Sequence, residues 1–227
     1  KMADHQLDHL VTVADPRSPV SEAYRTLRTN LDFSSLDKPI KTMLVTSAGP
    51  EEGKSTVLAN LAVTTAQAGR KVILVDCDLR RPTLHNIFNL KNDVGLTTMV
   101  VDDVAMESPP LQDTGVEGLQ LVSSGPLPPN PSELLGSRRM EEIIAALLER
   151  ADVVLFDAPP VVAVTDAAVL ATKVDGVLLV INAGGTKRDY ARAAKARLEK
   201  VNANLLGAVL NNVRFDVSLH RYYAAQL

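Results

Sequence analysis

The sequence predicts an α/β protein whose mostly parallel sheet carries helices on both faces. Three short, mainly apolar runs occur at 43–46, 72–75 and 153–156, and each fits a strand that is buried on both faces. Segments with the hydrophobic period of a helix lie between them. Because alternating strands and helices join through right-handed crossovers, they are expected to build one parallel sheet.

Length and composition indicate a single domain that spans 1–227. The chain is 46% hydrophobic, which suffices for one full core. Its net charge of −3 provides no overall field for nucleic acid or an anionic membrane. One cysteine cannot form an internal disulfide, and with the four histidines it shows no zinc-ligand spacing. We expect a chain in a reducing cytoplasm, without a membrane-inserted segment of its own. Whether a membrane segment precedes Lys1 is an open question.

The N-terminal part of the chain divides into an arm and a helix. Residues 1–17 are polar and lack periodicity, so an irregular or extended arm is predicted. The helix is expected to begin at Ser18, a side-chain cap that is followed by Pro19. Its predicted apolar stripe consists of Ala23, Tyr24, Leu27 and Leu31.

A second face of this helix carries charges at a spacing of three residues: Glu22, Arg25 and Arg28. Such a stripe fits a solvated, salt-bridged surface. It also fits a subunit contact, because arginines in step with a glutamate can pair across a symmetric interface. Both interpretations stay open on the residues alone.

The segment from Met43 to Leu58 has the order strand, small-residue turn and helix start. Its glycines let successive N–H groups converge on an anion at the positive end of the helix. Lys54 is placed to reach the outer phosphates of a nucleotide, and Ser55 to ligate Mg²⁺. Ala48 stands where the pattern G-x-x-x-x-G-K-[ST] has its first glycine, and an ordinary glycine-rich turn is the alternative. We predict a P-loop NTPase fold with these nucleotide-binding residues: Gly49, Pro50, Glu51, Glu52, Gly53, Lys54, Ser55 and Thr56.

Acidic and amide side chains end three of the later strands. Asp76 and Asp78 follow the second run on the same side, where open α/β sheets bind ligands. A metal or catalytic role is predicted for at least one of them, the alternative being a turn cap. Asp157 ends the third run and is predicted to hold Mg²⁺ directly or through water. Asn211, at the end of the last strand, is placed to hydrogen-bond a base.

The remaining helices and strands are predicted from hydrophobic periodicity and from the Gly and Pro residues that end them. The predicted helices are 18 onward, 54–68, 83–88, 95–101, 132–150, 165 onward and 186–201, and the further strands are 118–122, 176–182 and 204–210. A tail over 213–227 contains Tyr222 and Tyr223, half of the four tyrosines.

Taken together, these motifs resemble the bacterial tyrosine kinases of capsule and exopolysaccharide synthesis, the CpsD/CapB type, which also occur fused to polysaccharide co-polymerases. The resemblance runs from Ser18 to the tail. Beyond the phosphate loop, its motifs are Glu22-x-x-Arg25-x-x-Arg28, Asp76-x-Asp78 with the following Leu-Arg-Arg-Pro, the segment 128–135, and Phe156-Asp157-x-Pro159-Pro160.

The resemblance implies an ATP- and Mg²⁺-dependent protein-tyrosine autokinase. Lys54 would stabilise the β and γ phosphates, Ser55 would ligate Mg²⁺, and Asp157 would hold the ion through water. Asp76 and Asp78 would share metal positioning and the activation of a tyrosine hydroxyl. Phosphoryl transfer depends mainly on in-line positioning and charge neutralisation, and these groups supply both.

The resemblance also implies an assembly. Glu22, Arg25 and Arg28 would form the interface of a ring-shaped homo-oligomer, and each tail would offer Tyr222 and Tyr223 to the neighbouring active site. A transmembrane co-polymerase or activator, separate or fused upstream, would hold the chain at the inner face of the cell membrane. The tail has fewer tyrosines than is usual in the family, and no activator is visible in this chain.

Three rival functions share the fold. An ATPase switch of the MinD/ParA group carries a second lysine near the start of its loop, and Gly49 stands at that position. An iron–sulfur scaffold ATPase needs a C-x-x-C pair, which a single cysteine does not provide. A nucleotide-binding regulatory module without chemistry remains an alternative.

Overall fold

The computed structural model describes residues 7–34 and 38–213, which form a seven-stranded sheet covered by helices on both faces. The strands are β1 (Thr42–Ser47), β2 (Val72–Asp76), β3 (Gln112–Asp113), β4 (Leu119–Val122), β5 (Val153–Asp157), β6 (Gly176–Asn182) and β7 (Leu205–Asn211). The helices are α1 (Val11–Ala14), α2 (Pro19–Phe33), α3 (Lys54–Gln67), α4 (Leu84–Ile87), α5 (Leu96–Val101), α6 (Asp103–Glu107), α7 (Pro131–Gly136), α8 (Arg138–Leu148), α9 (Asp166–Ala171) and α10 (Arg188–Lys200).

The sheet has the strand order β3-β4-β2-β5-β1-β6-β7. All pairs are parallel except β3 with β4, so the predicted fold class, a mostly parallel α/β sheet, is confirmed. β5 lies between β1 and β2. The carboxyl ends of these three strands therefore meet at one edge, where open α/β sheets bind ligands.

Alternate residues of the central strands pack against two separate hydrophobic cores. Leu44 and Ile73 belong to the core beneath α5 and α7–α10, whereas Val45 and Leu74 belong to the core beneath α1–α4. Burial on both faces explains why these strands read as continuous apolar runs rather than as alternating patterns. Among the residues that the structure describes, no helix combines the length and apolar character that a bilayer crossing requires.

The segment before α2 differs from the predicted arm. Its described part forms the short helix α1, and Leu10 is fully buried. The backbone N–H and the hydroxyl of Thr12 both donate to Asn60 Oδ1, at 3.1 and 2.8 Å. The prediction of an irregular arm was wrong for residues 11–14, because one helical turn is too short to show periodicity. The burial of this segment depends on its contact with α3. Residues 1–6 lie outside the described part.

Two other predictions need correction. The predicted helix 132–150 is two helices, α7 and α8, because Ser137 adopts an extended conformation and its hydroxyl accepts from Met140 N at 3.3 Å. This local cap interrupts a hydrophobic period that continues through the break.

Ala23, assigned to the apolar stripe of α2, is exposed. The Ser18 cap of α2 is confirmed, since Ser21 N donates to its hydroxyl at 3.1 Å.

Leu10→Ala tests whether the N-terminal segment is part of the core. We expect the free energy of unfolding to fall by about 2–5 kcal/mol, because the substitution leaves a cavity at a fully buried position. Urea denaturation measures the change. Val101→Ala, at an exposed position, serves as the control and should change stability by about 0.5 kcal/mol at most. Equal effects of the two substitutions would show that the segment does not pack in solution.

Candidate functional site

The phosphate loop connects the end of β1 to the start of α3. Gly53 is the N-cap of α3 and has φ of 83°, a left-handed conformation that favours glycine. A Cβ at this position would lie 2.3 Å from Asn211 Nδ2, so it would displace the Asn211 side chain from the loop. Glu51 is also left-handed, with φ of 58°. Successive N–H groups in such a loop face one concavity, the geometry that binds an anion.

Lys54 lies between two carboxylates at this edge of the sheet. Its Nζ is 2.9 Å from Asp78 Oδ2 and 3.2 Å from both carboxylate oxygens of Asp157. The Lys54 side chain is only 11% exposed. A buried cation thus neutralises the carboxylates that follow β2 and β5.

Ser55 and Asp157 supply the oxygen atoms that a magnesium ion prefers. The Ser55 hydroxyl donates to Asp157 Oδ2, and Asp157 is fully buried. In the described part of the chain, no group of three or more His, Cys, Asp and Glu side chains forms a ready metal site. Mg²⁺ commonly binds through one or two protein oxygens together with substrate phosphates, so this hydroxyl and carboxylate fit the ion.

Asp76 is adjacent to Asp157 through the β2–β5 register, but its oxygens are engaged by backbone. Asp76 Oδ1 accepts from Asp78 N at 3.2 Å, and Oδ2 accepts from Thr83 N and Leu84 N at 3.0 and 2.9 Å. Asp78 Oδ1 accepts from Arg81 N at 3.0 Å. Both aspartates therefore brace the turn after β2, and Asp78 additionally contacts Lys54.

The electrostatics of the site follow from burial and charge. Burial raises the pKa of Asp76 to about 8, and the neighbouring Asp157 charge adds to the shift. Burial likewise raises the pKa of Asp157, against the opposing effect of Lys54. For Lys54 burial lowers the pKa, but Asp157 and Asp78 outweigh it, so the net pKa is raised. The ammonium form is thus retained at neutral pH.

The remaining predicted nucleotide-binding residues divide by exposure. Pro50, Glu51 and Thr56 are exposed, whereas Glu52 is buried. Asn211 Nδ2 donates to the Glu52 carbonyl at 2.9 Å. The Asn211 amide therefore braces the phosphate loop, a contact that the strand-end pattern alone did not reveal.

An ion pair that the sequence reading missed holds the turn carrying Asp78. Arg80 Nε and Nη2 donate to the two carboxylate oxygens of Asp166 at 2.8 and 3.1 Å, and Asp166 is fully buried. Ser132 Oγ also donates to Asp166, at 2.5 Å. The available signal in the sequence is the position of Arg80 and Ser132 within the motifs of the family resemblance. Asp166, beside the predicted helix start at residue 165, carries no such signal.

The charged stripe of α2 has partners within the chain. Arg25 contacts Glu22 Oε2 at 2.9 Å and donates to the Pro16 carbonyl at 2.6 Å. Arg28 donates to the Thr64 carbonyl of α3 at 2.7 Å. These contacts show a role within one subunit and do not test an interface. Tyr222 and Tyr223 lie outside the described residues.

Comparison with known proteins agrees with this geometry. Residues 43–227 match the CobQ/CobB/MinD/ParA nucleotide binding domain. The chain is 44% identical over 219 residues to tyrosine-protein kinase YwqD of Bacillus subtilis (strain 168), covering 96% of this chain and 92% of the relative. It belongs to the bacterial tyrosine-protein kinases, a branch of that nucleotide-binding family.

Two further similarities support membership in the bacterial tyrosine kinases. The putative tyrosine-protein kinase CapB of Staphylococcus aureus is 41% identical over 92% of this chain and 91% of the relative. The crystal structure of the chimerical protein CapA2B2 superposes with a TM-score of 0.86 at 39% identity, covering 91% of this chain and 90% of that one. The P-loop NTPase fold and the resemblance to bacterial tyrosine kinases, both predicted from the sequence, are confirmed.

The raised pKa of Asp76 predicts a pH-dependent stability of the nucleotide-free kinase. Between the ordinary value of 3.8 and about 8, the folded state retains a proton that the unfolded state releases, so stability falls as pH rises. The contribution is at most about 1.4 kcal/mol per pH unit. Urea denaturation across this range measures the free energy of unfolding as a function of pH. The slope of this function should be shallower for Asp76→Asn than for the wild type, even if the two proteins differ in absolute stability. Asp189→Asn, at a 93% exposed side chain, should keep the wild-type slope; an unchanged slope in Asp76→Asn would contradict the assignment.

Proposed function

We propose that this chain is an ATP- and Mg²⁺-dependent protein-tyrosine autokinase that regulates capsular or exopolysaccharide synthesis and export. The observation that carries the proposal is the contact of Lys54 with both Asp78 and Asp157, next to a loop shaped for phosphate. The relatives named tyrosine-protein kinase, which align over nearly the whole chain, support it.

Nucleotide binding requires an exchange of partners at Lys54. The loop N–H groups and the start of α3 receive the phosphates, and the Lys54 ammonium turns from the carboxylates to the outer phosphate oxygens. Ser55 and Asp157 would hold Mg²⁺, which would supply positive charge to neutralise the phosphates. Released from Lys54, Asp78 would accept the proton of a tyrosine hydroxyl whose oxygen bonds to the γ phosphorus. The bond from that phosphorus to its bridging oxygen breaks, and ADP leaves.

Between the two aspartates after β2, Asp78 is the better candidate base. Asp76 has all its described contacts with backbone N–H groups, and its raised pKa of about 8 favours the protonated form near neutral pH. Asp78 Oδ2 contacts only the Lys54 ammonium among the described polar contacts. We therefore assign to Asp76 the positioning of the turn. We assign to Asp78 the role of the base that accepts the proton of the tyrosine hydroxyl.

The proposed partners follow from the family. A transmembrane polysaccharide co-polymerase or activator would hold the chain at the inner face of the cell membrane. Copies of the chain would form a ring in which each tail presents Tyr222 and Tyr223 to its neighbour. Such presentation raises the effective concentration of the acceptor at the site.

Lys54→Met tests the kinase assignment. Phosphotyrosine formed with ATP and Mg²⁺, measured by mass spectrometry, should fall about 10²–10³-fold, because the phosphate charge loses its ammonium partner. Lys200→Met, at an exposed lysine, is the matched control and should retain activity. Because Lys54 also neutralises buried Asp157, we further expect a lower melting temperature.

Two results would redirect this proposal. A Lys54→Met variant that keeps most of its phosphotyrosine content would remove Lys54 from the mechanism. A wild type that hydrolyses ATP without forming phosphotyrosine, even beside its activator, would favour a MinD/ParA-like switch. Binding without either reaction would favour a regulatory module.

Arg25→Ala combined with Arg28→Ala tests the assembly. If the stripe pairs across a ring interface, light scattering should show loss of the oligomer, and tyrosine phosphorylation should become slow and dependent on concentration. Removal of the contacts to Pro16 and Thr64 should also lower stability slightly, so folding is checked by circular dichroism.

The matched control replaces two exposed arginines four positions apart on α10, Arg188→Ala with Arg192→Ala. This control should assemble as the wild type does. A folded Arg25→Ala, Arg28→Ala variant that still assembles would leave the stripe with its intramolecular role alone.

A further inference from the structure

The buried residue Glu52 is held within the phosphate loop by its side chain. Its carboxylate accepts from Ala48 N at 3.0 Å and from the Thr186 hydroxyl at 2.5 Å, and the residue is only 6% exposed. A carboxylate removed from water needs such partners, since an unpaired buried charge is strongly destabilising. The Glu52 side chain therefore has a fixed position beside the start of the loop.

Thr186, which lies 134 residues away in the sequence, is itself held rigidly after β6. Its hydroxyl accepts from Asn182 N at 3.0 Å, and its own N–H donates to the Asn182 carbonyl at 2.9 Å. With one lone pair occupied in this way, the Thr186 proton points at Glu52. The end of β6 thus supplies an oriented donor to the phosphate loop.

The end of β7 holds the same residue by its backbone. Asn211 Nδ2 donates to the Glu52 carbonyl and lies so close to Gly53 that any Cβ there would collide with it. The peptide unit between Glu52 and Gly53 is therefore fixed on one side by β7. This is the point at which the loop enters α3.

The loop needs this support because its backbone is locally unfavourable. Glu51 has a left-handed conformation although it is not glycine, and this conformation is unfavourable for residues that carry a Cβ. Such a conformation persists only where surrounding contacts determine it. Glu52, directly after Glu51, provides those contacts through Thr186 and Asn211.

We infer that Glu52, Thr186 and Asn211 are positioning residues that hold the phosphate loop in its anion-binding shape before the nucleotide arrives. The inference rests on the proposed nucleotide-dependent function and gives Glu52 and Asn211 a role different from direct nucleotide contact. A loop that is already ordered binds more tightly, because less conformational freedom is lost on binding.

Thr186→Val removes the hydroxyl while keeping the shape of the side chain, and Thr186→Ser keeps the hydroxyl. The probe is ADP carrying a fluorescent methylanthraniloyl group, titrated in the presence of Mg²⁺. We expect Thr186→Val to weaken binding about tenfold, the effect of losing one hydrogen bond to a charged group, and Thr186→Ser to remain within about twofold. Hydrogen exchange of the loop amides in the nucleotide-free protein should accelerate in Thr186→Val and not in Thr186→Ser.

A second pair of variants tests the contact from β7. Asn211→Ala loses the donor to the Glu52 carbonyl and should also weaken binding several-fold, while Asn212→Ala should not, because Asn212 donates to Asn182 Oδ1 and not to the loop. This pair keeps the inference testable should Thr186→Val fail to fold. Binding by both Thr186→Val and Asn211→Ala that equals the wild type would overturn the inference. Absence of binding by the wild type would instead overturn the proposed function.

Discussion

The contact of the Lys54 ammonium with Asp78 and Asp157 is the interaction on which the site depends. Three aspartates stand at neighbouring strand ends, and Asp76 and Asp157 are fully buried. Buried carboxylates so close together repel one another and lose hydration. One buried lysine and a raised pKa at Asp76 relieve this repulsion. The sheet order is what makes the arrangement possible, because β5 lies between β1 and β2 and brings all these groups to one edge.

The same interaction explains why nucleotide and metal are expected to bind together. A nucleotide alone draws Lys54 toward phosphate and leaves Asp157 without a cation. A magnesium ion alone meets Ser55 and Asp157 but lacks the phosphate oxygens that complete its coordination. The charges would balance when both are present, with Mg²⁺ in place of Lys54 at Asp157 and Lys54 at the phosphates. In the proposed mechanism, Lys54 is thus a cation already at the site that would move to the nucleotide.

Each turn around the site is held by a side chain from a distant element. Arg80, paired with buried Asp166, fixes the turn that carries Asp78. Thr186 and Asn211 fix Glu52 and with it the phosphate loop. Because phosphoryl transfer depends on positioning and on oriented charge, small displacements of these turns are costly. The supporting contacts therefore contribute to the proposed reaction by holding these turns in place.

The sequence alone determined the central strands, the longer helices that follow them and the residue types at the strand ends. The apolar runs before Asp76 and Asp157, the Ser18 cap and the glycine-lysine-serine turn are encoded by neighbouring residues, so local hydrogen bonding and hydrophobic period suffice to find them. Tertiary structure decided the rest: the burial of Leu10, the pairing of Lys54 with Asp157, and the contact of Glu52 with Thr186. In each case the residues that meet are far apart in the chain. They come together only in the folded structure. Local patterns carry no record of that order, since the same alternation of strands and helices is compatible with several arrangements of the sheet.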